Sequence, residues 1–180
     1  MTAPTLPPTP LVVVAVGTDH HPFTRLIGWI DRWLARRHDA IEAVVQHGTA
    51  PPPRFGRAVP YLEHDEFLAL AGRAQMVVTH GGPATIAECR RLGQVPIVVP
   101  RQPGLGEHVD DHQVRFCKRL AAKGMVHLPR DEDELWKLLD AGLMNPLAYE
   151  LVIHGEPSVA TTVRRFGEMV AALPHRARRR

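Results

Sequence analysis

The sequence predicts an α/β fold, Rossmann-like, in which a parallel sheet carries helices on both faces. Three observations predict it. Short apolar runs alternate with segments of helical spacing at least five times along the 180 residues. The first run, "LVVVAV" (11–16), is continuous rather than alternating, which is the pattern of a strand buried on both sides. Helical segments separate most of the runs, and right-handed crossovers then lay successive strands parallel.

Residues 1–10, "MTAPTLPPTP", read as a loose leader with no basic segment or apolar stretch of the secretory kind. After strand 11–16, "GTDHHP" is a loop. Apolar residues at 23, 26, 27, 30, 33 and 34 then mark a helix. "IEAVVQ" (41–46) is the second strand, and "GTAPPPRFG" (48–56) a Pro/Gly loop. "AVPYL" (58–62) reads as a short strand, and "DEFLALAG" (65–72) as a helix closed by Gly72. "QMVVT" (75–79) is a strand. "PATIAECRRL" (83–92) is a helix with Pro83 in its first turn and Gly93 beyond its end. "PIVVP" (96–100) is a strand between prolines, and "RQPGLGEH" (101–108) a loop. "DDHQVRFCKRLAAKG" (110–124) is a helix stopped by Gly124, and "MVHL" (125–128) a last strand. Helices follow at 131–143 and 158–173.

The formal charge of +3 is concentrated in Arg176, Arg178, Arg179 and Arg180, without which the remainder is near neutral. That tail is either a solvated terminus or an attraction to an anionic surface. No interleaved aromatics or binding module point to nucleic acid. Cys89 and Cys117 form no disulfide or metal-ligand pattern, so a reducing, cytoplasmic setting is expected.

Ligands of such sheets bind beyond the carboxyl ends of the strands, so the loops after Val16, Thr79 and Pro100 are the ones to search. "THGGPAT" (79–85) joins a strand to a helix N-terminus, where unpaired N–H groups and the helix dipole favour an anion. Glycines there let a phosphate approach the backbone of His80–Thr85. Thr85 adds a hydroxyl, and Glu88, one turn on, suits a ribose hydroxyl. The alternative is a plain turn whose glycines serve only positive φ. The dinucleotide spacing G-x-G-x-x-G is missing.

"VGTDHHPFTRL" places Gly17 and Thr18 on the same edge, with His20 and His21 as donors to an anion or as exposed loop residues. "EHVDDHQ" (107–113) offers Asp110, Asp111 and Gln113 to sugar hydroxyls, or an aspartate to cap the following helix. His108 and His112 are four apart, but Val109 stands where a zincin has glutamate, so no metal is expected. "DED" (131–133) reads as a helix start, with Asp131 as N-cap and Glu134 three residues on.

These three motifs in this order resemble the carboxyl-terminal, donor-binding domain of glycosyltransferase family 28. The resemblance covers roughly residues 11–145. It is closest to the small catalytic subunit of the eukaryotic two-part UDP-N-acetylglucosamine transferase and its bacterial exopolysaccharide counterparts. It implies one half of a GT-B architecture and an inverting hexosyltransferase that takes a UDP-sugar as donor, with no cofactor. Its implied donor-binding residues are Gly17 and Thr18 near the diphosphate, the backbone near Tyr61 and Leu62 at uracil, and His80, Gly81, Gly82 and Thr85 around phosphate. Glu88 would bind ribose, and Asp111 and Gln113 the donor sugar.

Two halves of roughly 150 residues need about 300, so a partner is expected: a membrane-anchored subunit holding a lipid-linked acceptor. This chain would then lie peripherally at the inner face of the membrane, with residues 146–180 as its docking segment. The catalytic base is either His20 or a residue of the partner. The rival expectation is a binding module of the same fold without turnover, to which Pro83 lends weight because it removes one N–H donor.

Overall fold

A computed structural model describes residues 9–151. The leader before residue 9, the helix expected at 158–173 and the arginine tail lie outside the described residues. Among the described residues, five strands form one sheet in the order β3-β2-β1-β4-β5. They are β1 (Leu11–Ala15), β2 (Glu42–Gln46), β3 (Arg57–Val59), β4 (Met76–Thr79) and β5 (Ile97–Val98), all paired in parallel. The helices are α1 (Thr24–Leu34), α2 (His64–Arg73), α3 (Pro83–Arg91), α4 (His112–Ala121) and α5 (Glu132–Met144). None is long and apolar enough to cross a membrane.

The continuous apolar run of β1 is explained by two cores. Val12 and Val14 pack with Leu26, Ile30, Trp33, Leu135 and Leu139 of α1 and α5. Leu11, Val13 and Ala15 pack on the opposite face with Phe67, Ala71 and Cys89 of α2 and α3. A third cluster joins Ile86, Val98, Phe116 and Leu120, and seats α4 beside β5. Gly142 brings α5 close, because a Cβ there would overlap Met76 and Tyr149. α5 begins as expected: Asp131 Oδ1 accepts the Glu134 N–H at 2.9 Å.

Four expectations need correction. β3 ends at Val59, before the Pro60-Tyr61-Leu62 segment, because Pro60 has no N–H for a ladder. Gly72 lies inside α2, which starts at His64 and is closed at Ala74. "MVHL" is not a strand; it contributes one parallel bridge, Ile97 to His127, along the outer edge of β5. α4 starts at His112, and the Asp111 side chain makes no capping bond; Asp110 Oδ1 takes the His112 N–H at 3.0 Å instead.

Candidate functional site

Because all five strands run the same way, their carboxyl ends present residues 17–22, 47–49, 60–62, 80–82 and 99–111 along one rim. At its centre the His80 ring sits between two glycine turns. A Cβ on Gly17 or on Gly82 would overlap that ring. Gly17 has φ +76°, a conformation that favours glycine, and its carbonyl accepts from Gln46 Nε2 at 2.9 Å. Gly81 lies beneath α4, where a Cβ would come within 2.8 Å of Gln113 Cβ and 2.9 Å of Cys117 Sγ.

Thr79 Oγ1 donates to Ala15 O at 3.0 Å, so at 3.3 Å it can only accept from His80 Nδ1. That tautomer leaves Nε2 as an acceptor between the two turns. Burial, with the Arg101 guanidinium alongside, pushes His80 down to about 4. The ring is therefore neutral at physiological pH and brings shape, not charge. The linkage has a definite sign. Unfolded, the ring takes its proton near 6.5; folded, it waits until about 4. Between those values the unfolded chain binds more protons, so stability falls as pH falls, by up to ~1.4 kcal/mol per pH unit. Urea midpoints measured from pH 7 to pH 4 are expected to drop, and to drop less in His80→Gln.

The amides of the 80–85 bend are open only in part, which corrects the sequence expectation. His80 N–H donates to Ala15 O at 3.2 Å and Gly81 N–H to Gln113 Oε1 at 3.1 Å. Pro83 has no N–H, and no side chain caps α3. The remaining donors are the first-turn amides of Gly82, Ala84 and Thr85, which point past the sheet edge as at any helix start. Gln113 Oε1 also accepts Arg101 N–H at 3.2 Å. Its carbonyl thus joins two loops, and only its NH₂ is left for a ligand.

The other expected residues are spread along the rim. Thr18 and His20 are exposed, and the His20 carbonyl is held by Thr49 Oγ1 at 2.9 Å. Tyr61 is exposed and Leu62 half-buried against the α2 face. Glu88 is half-buried, with His64 Nδ1 3.5 Å from its Oε1. Asp111 is exposed and pairs with Arg115 at 3.0 Å. Burial pushes the Cys89 and Cys117 thiols up to about 12, so neither is a thiolate near pH 7.

Sequence reading missed the group that assembles the rim. Arg101 is 1% exposed. Its Nη1 donates to His21 O at 2.6 Å and Glu107 O at 3.1 Å, and its Nη2 to Val16 O at 3.0 Å. It stacks on Phe23 at 4.7 Å. Glu107, also buried, receives Arg25 through two bonds of 2.9 and 2.8 Å and the Gln102 N–H at 2.9 Å. The available signal was a charged residue directly after an apolar strand, "PIVVPR", at a ligand-binding edge.

The family model described as glycosyltransferase family 28 C-terminal domain matches residues 11–155. The chain belongs to this family. Solved structures agree on the fold. The glycotransferase of kitacinnamycin is 17% identical with a TM-score of 0.57, covering 91% of this chain and 39% of that one. Acinetobacter baumannii MurG is 20% identical with a TM-score of 0.57, covering 88% and 50%. The UDP-GlcNAc 2-epimerase of Neisseria meningitidis, bound to UDP-GlcNAc, is 13% identical with a TM-score of 0.57, covering 91% and 44%. A comparison with curated proteins finds no match. The family 28 chain thus spans half or less of the length of these solved structures, and its fold is that of one GT-B half.

Proposed function

We propose that this chain is the donor-binding, catalytic half of an inverting glycosyltransferase. It moves a hexose-type sugar from a UDP-sugar to a lipid-linked acceptor held by a membrane-anchored partner subunit. The observation that carries this reading is the His80 ring clasped between Gly17 and Gly82 beside the uncapped start of α3. The two glycines make room for the ring, and the uncapped first turn of α3 beside it is where a diphosphate would lie. The α3 dipole and its first amides stabilise charge on the departing nucleotide, and this needs no metal or cofactor. The attacking hydroxyl needs a base. His20 is the rim's exposed candidate, and a residue of the partner is the other. The protein is peripheral to the cytoplasmic membrane face through that partner.

Glu88 is assigned to the ribose. Glu88→Ala is expected to weaken UDP binding about 10- to 100-fold, as loss of a hydrogen bond to a charged group implies, while leaving the thermal midpoint near wild type. Calorimetric titration of UDP checks this, and unchanged affinity removes the ribose role.

A second reading, a nucleotide-sugar-binding module without turnover, is favoured by one observation: the His80 and Gly81 amides are already paired and Pro83 has none, so the cradle has fewer donors. Assays with UDP-, GDP- and ADP-sugars, with and without the candidate partner, separate the two. Binding with no transfer in the reconstituted pair selects the module.

A further inference from the structure

One cluster on the rim, which includes His20, the exposed candidate base, has a ligand set of its own. Asp19, His20 and His21 present ligand atoms that all lie within 4.8 Å of one another. His21 Nδ1 is 2.7 Å from Asp19 Oδ1, and His20 Nδ1 is 3.9 Å from the same oxygen. From the loop before α4, His108 Nε2 lies 3.5 Å from Asp19 Oδ2. We propose that Asp19, His20, His21 and His108 bind a divalent transition metal, zinc foremost, which clips the loop after β1 to the loop before α4.

The donor set and its spacing both fit. Three imidazoles and one carboxylate are a zinc-type ligand set, and metal–ligand bonds of ~2.0–2.1 Å put tetrahedral ligand atoms about 3.3 Å apart. The three imidazoles already gather on the Asp19 carboxylate at distances of that order: His21 Nδ1, hydrogen-bonded at 2.7 Å, and His20 Nδ1 at 3.9 Å from Oδ1, and His108 Nε2 at 3.5 Å from Oδ2. The loops are already held in place: Arg101 grips the carbonyls of His21 and Glu107, and Thr49 grips that of His20. Asp19, His20 and His21 already form a close group, and His108 closes on it from the second loop.

The surroundings match those of a metal-binding histidine. Asp110 Oδ1 lies 3.4 Å from His108 Nδ1, where a carboxylate behind a metal-bound histidine belongs. Without metal, Asp110 N–H donates to that Nδ1 at 3.3 Å, so the ring proton sits on Nε2 facing Asp19. With metal, Nε2 gives up its proton, and Nδ1 takes one and donates it to Asp110, with no net change. Asp110 is itself fixed by His112 Nδ1 at 2.7 Å. This corner holds Arg25 and Arg101 against Asp19, Glu107 and Asp110, so it carries a net negative charge when the histidines are neutral. The pair weighed from the sequence, His108 with His112, is not the site: His112 turns to Asp110, and His108 faces Asp19.

The test uses the full chain without nucleotide, so it stands apart from the donor reading. Zinc is titrated calorimetrically at pH 7.5, and cobalt(II) is added in parallel to read its visible absorption. One zinc per chain with micromolar or tighter affinity, a raised thermal midpoint and tetrahedral-type cobalt bands are expected. Affinity should fall at least tenfold in Asp19→Asn, His108→Ala and the exposed-site variant His20→Ala, and stay at wild type in His38→Ala. Metal-free thermal midpoints of the variants verify folding. Absence of one-to-one zinc binding overturns the proposal. So does binding that survives both Asp19→Asn and His108→Ala, or that His38→Ala lowers equally.

Discussion

Arg101→Met is expected to destabilise the fold by about 3–5 kcal/mol, the order expected when three buried carbonyls lose a charged donor. The arginine is the only side chain among the described residues that holds the carbonyls of Val16, His21 and Glu107 together. Methionine keeps much of the volume and the contact with Phe23, but leaves three carbonyls without their donor. It also leaves Glu107 and Asp19 with one cation fewer nearby. Against a typical total stability of ~5–15 kcal/mol the loss is large. Arg101→Lys keeps the charge but not the planar fork, and should recover only part of it. Urea unfolding checks both variants. A methionine variant within ~1 kcal/mol of wild type would show that the loops are held by packing alone.

Gly17→Ala is the second large effect, and it reaches both stability and binding. At φ +76° an alanine adds about 1–2 kcal/mol of backbone cost. Its methyl also overlaps the His80 ring, and overpacking adds ~1–3 kcal/mol. The ring cannot retreat toward Gly82, where it already fills the space a Cβ would take. On the proposed donor reading, UDP binding should be lost as well. His80→Ala removes the overlap but not the strained φ, so Gly17→Ala should cost less in that background, by the overpacking share. An equal cost with and without the ring would mean that the ring is not what excludes a side chain at Gly17.

The architecture was legible because its signals are local. Six consecutive apolar residues at 11–16 demand cover on both faces, and the two cores supply it through Val12 and Val14 on one side and Leu11, Val13 and Ala15 on the other. Pro83 and Asp131 marked helix starts through chemistry that depends only on the next turn. Misreadings arose where tertiary context decides. "MVHL" has the composition of a strand, but it lies at an edge where only His127 finds a partner. Gly72 looked like a stop, yet α2 continues through it to Arg73 and ends where Ala74 turns extended. The glycine turns at 17 and 81–82 could be placed from sequence. The ring between them could not, since a histidine after a strand says nothing of what flanks it in space. Arg101 was invisible for the same reason: its burial comes from three loops that are up to 91 positions apart, Val16 to Glu107.

The borders of the sheet carry a further meaning. β3 is three residues long and runs straight into Pro60. β5 is two residues long, and its outer side is taken up by His127, while the neighbouring backbone at Gly93 and Val95 bonds to Leu151 and Tyr149. Neither flank offers a foreign strand a usable row of donors and acceptors, which discourages clumping of copies side by side. Among the described residues, a companion polypeptide finds its footing end-on or across a helical face more readily than by lengthening the β-ladder.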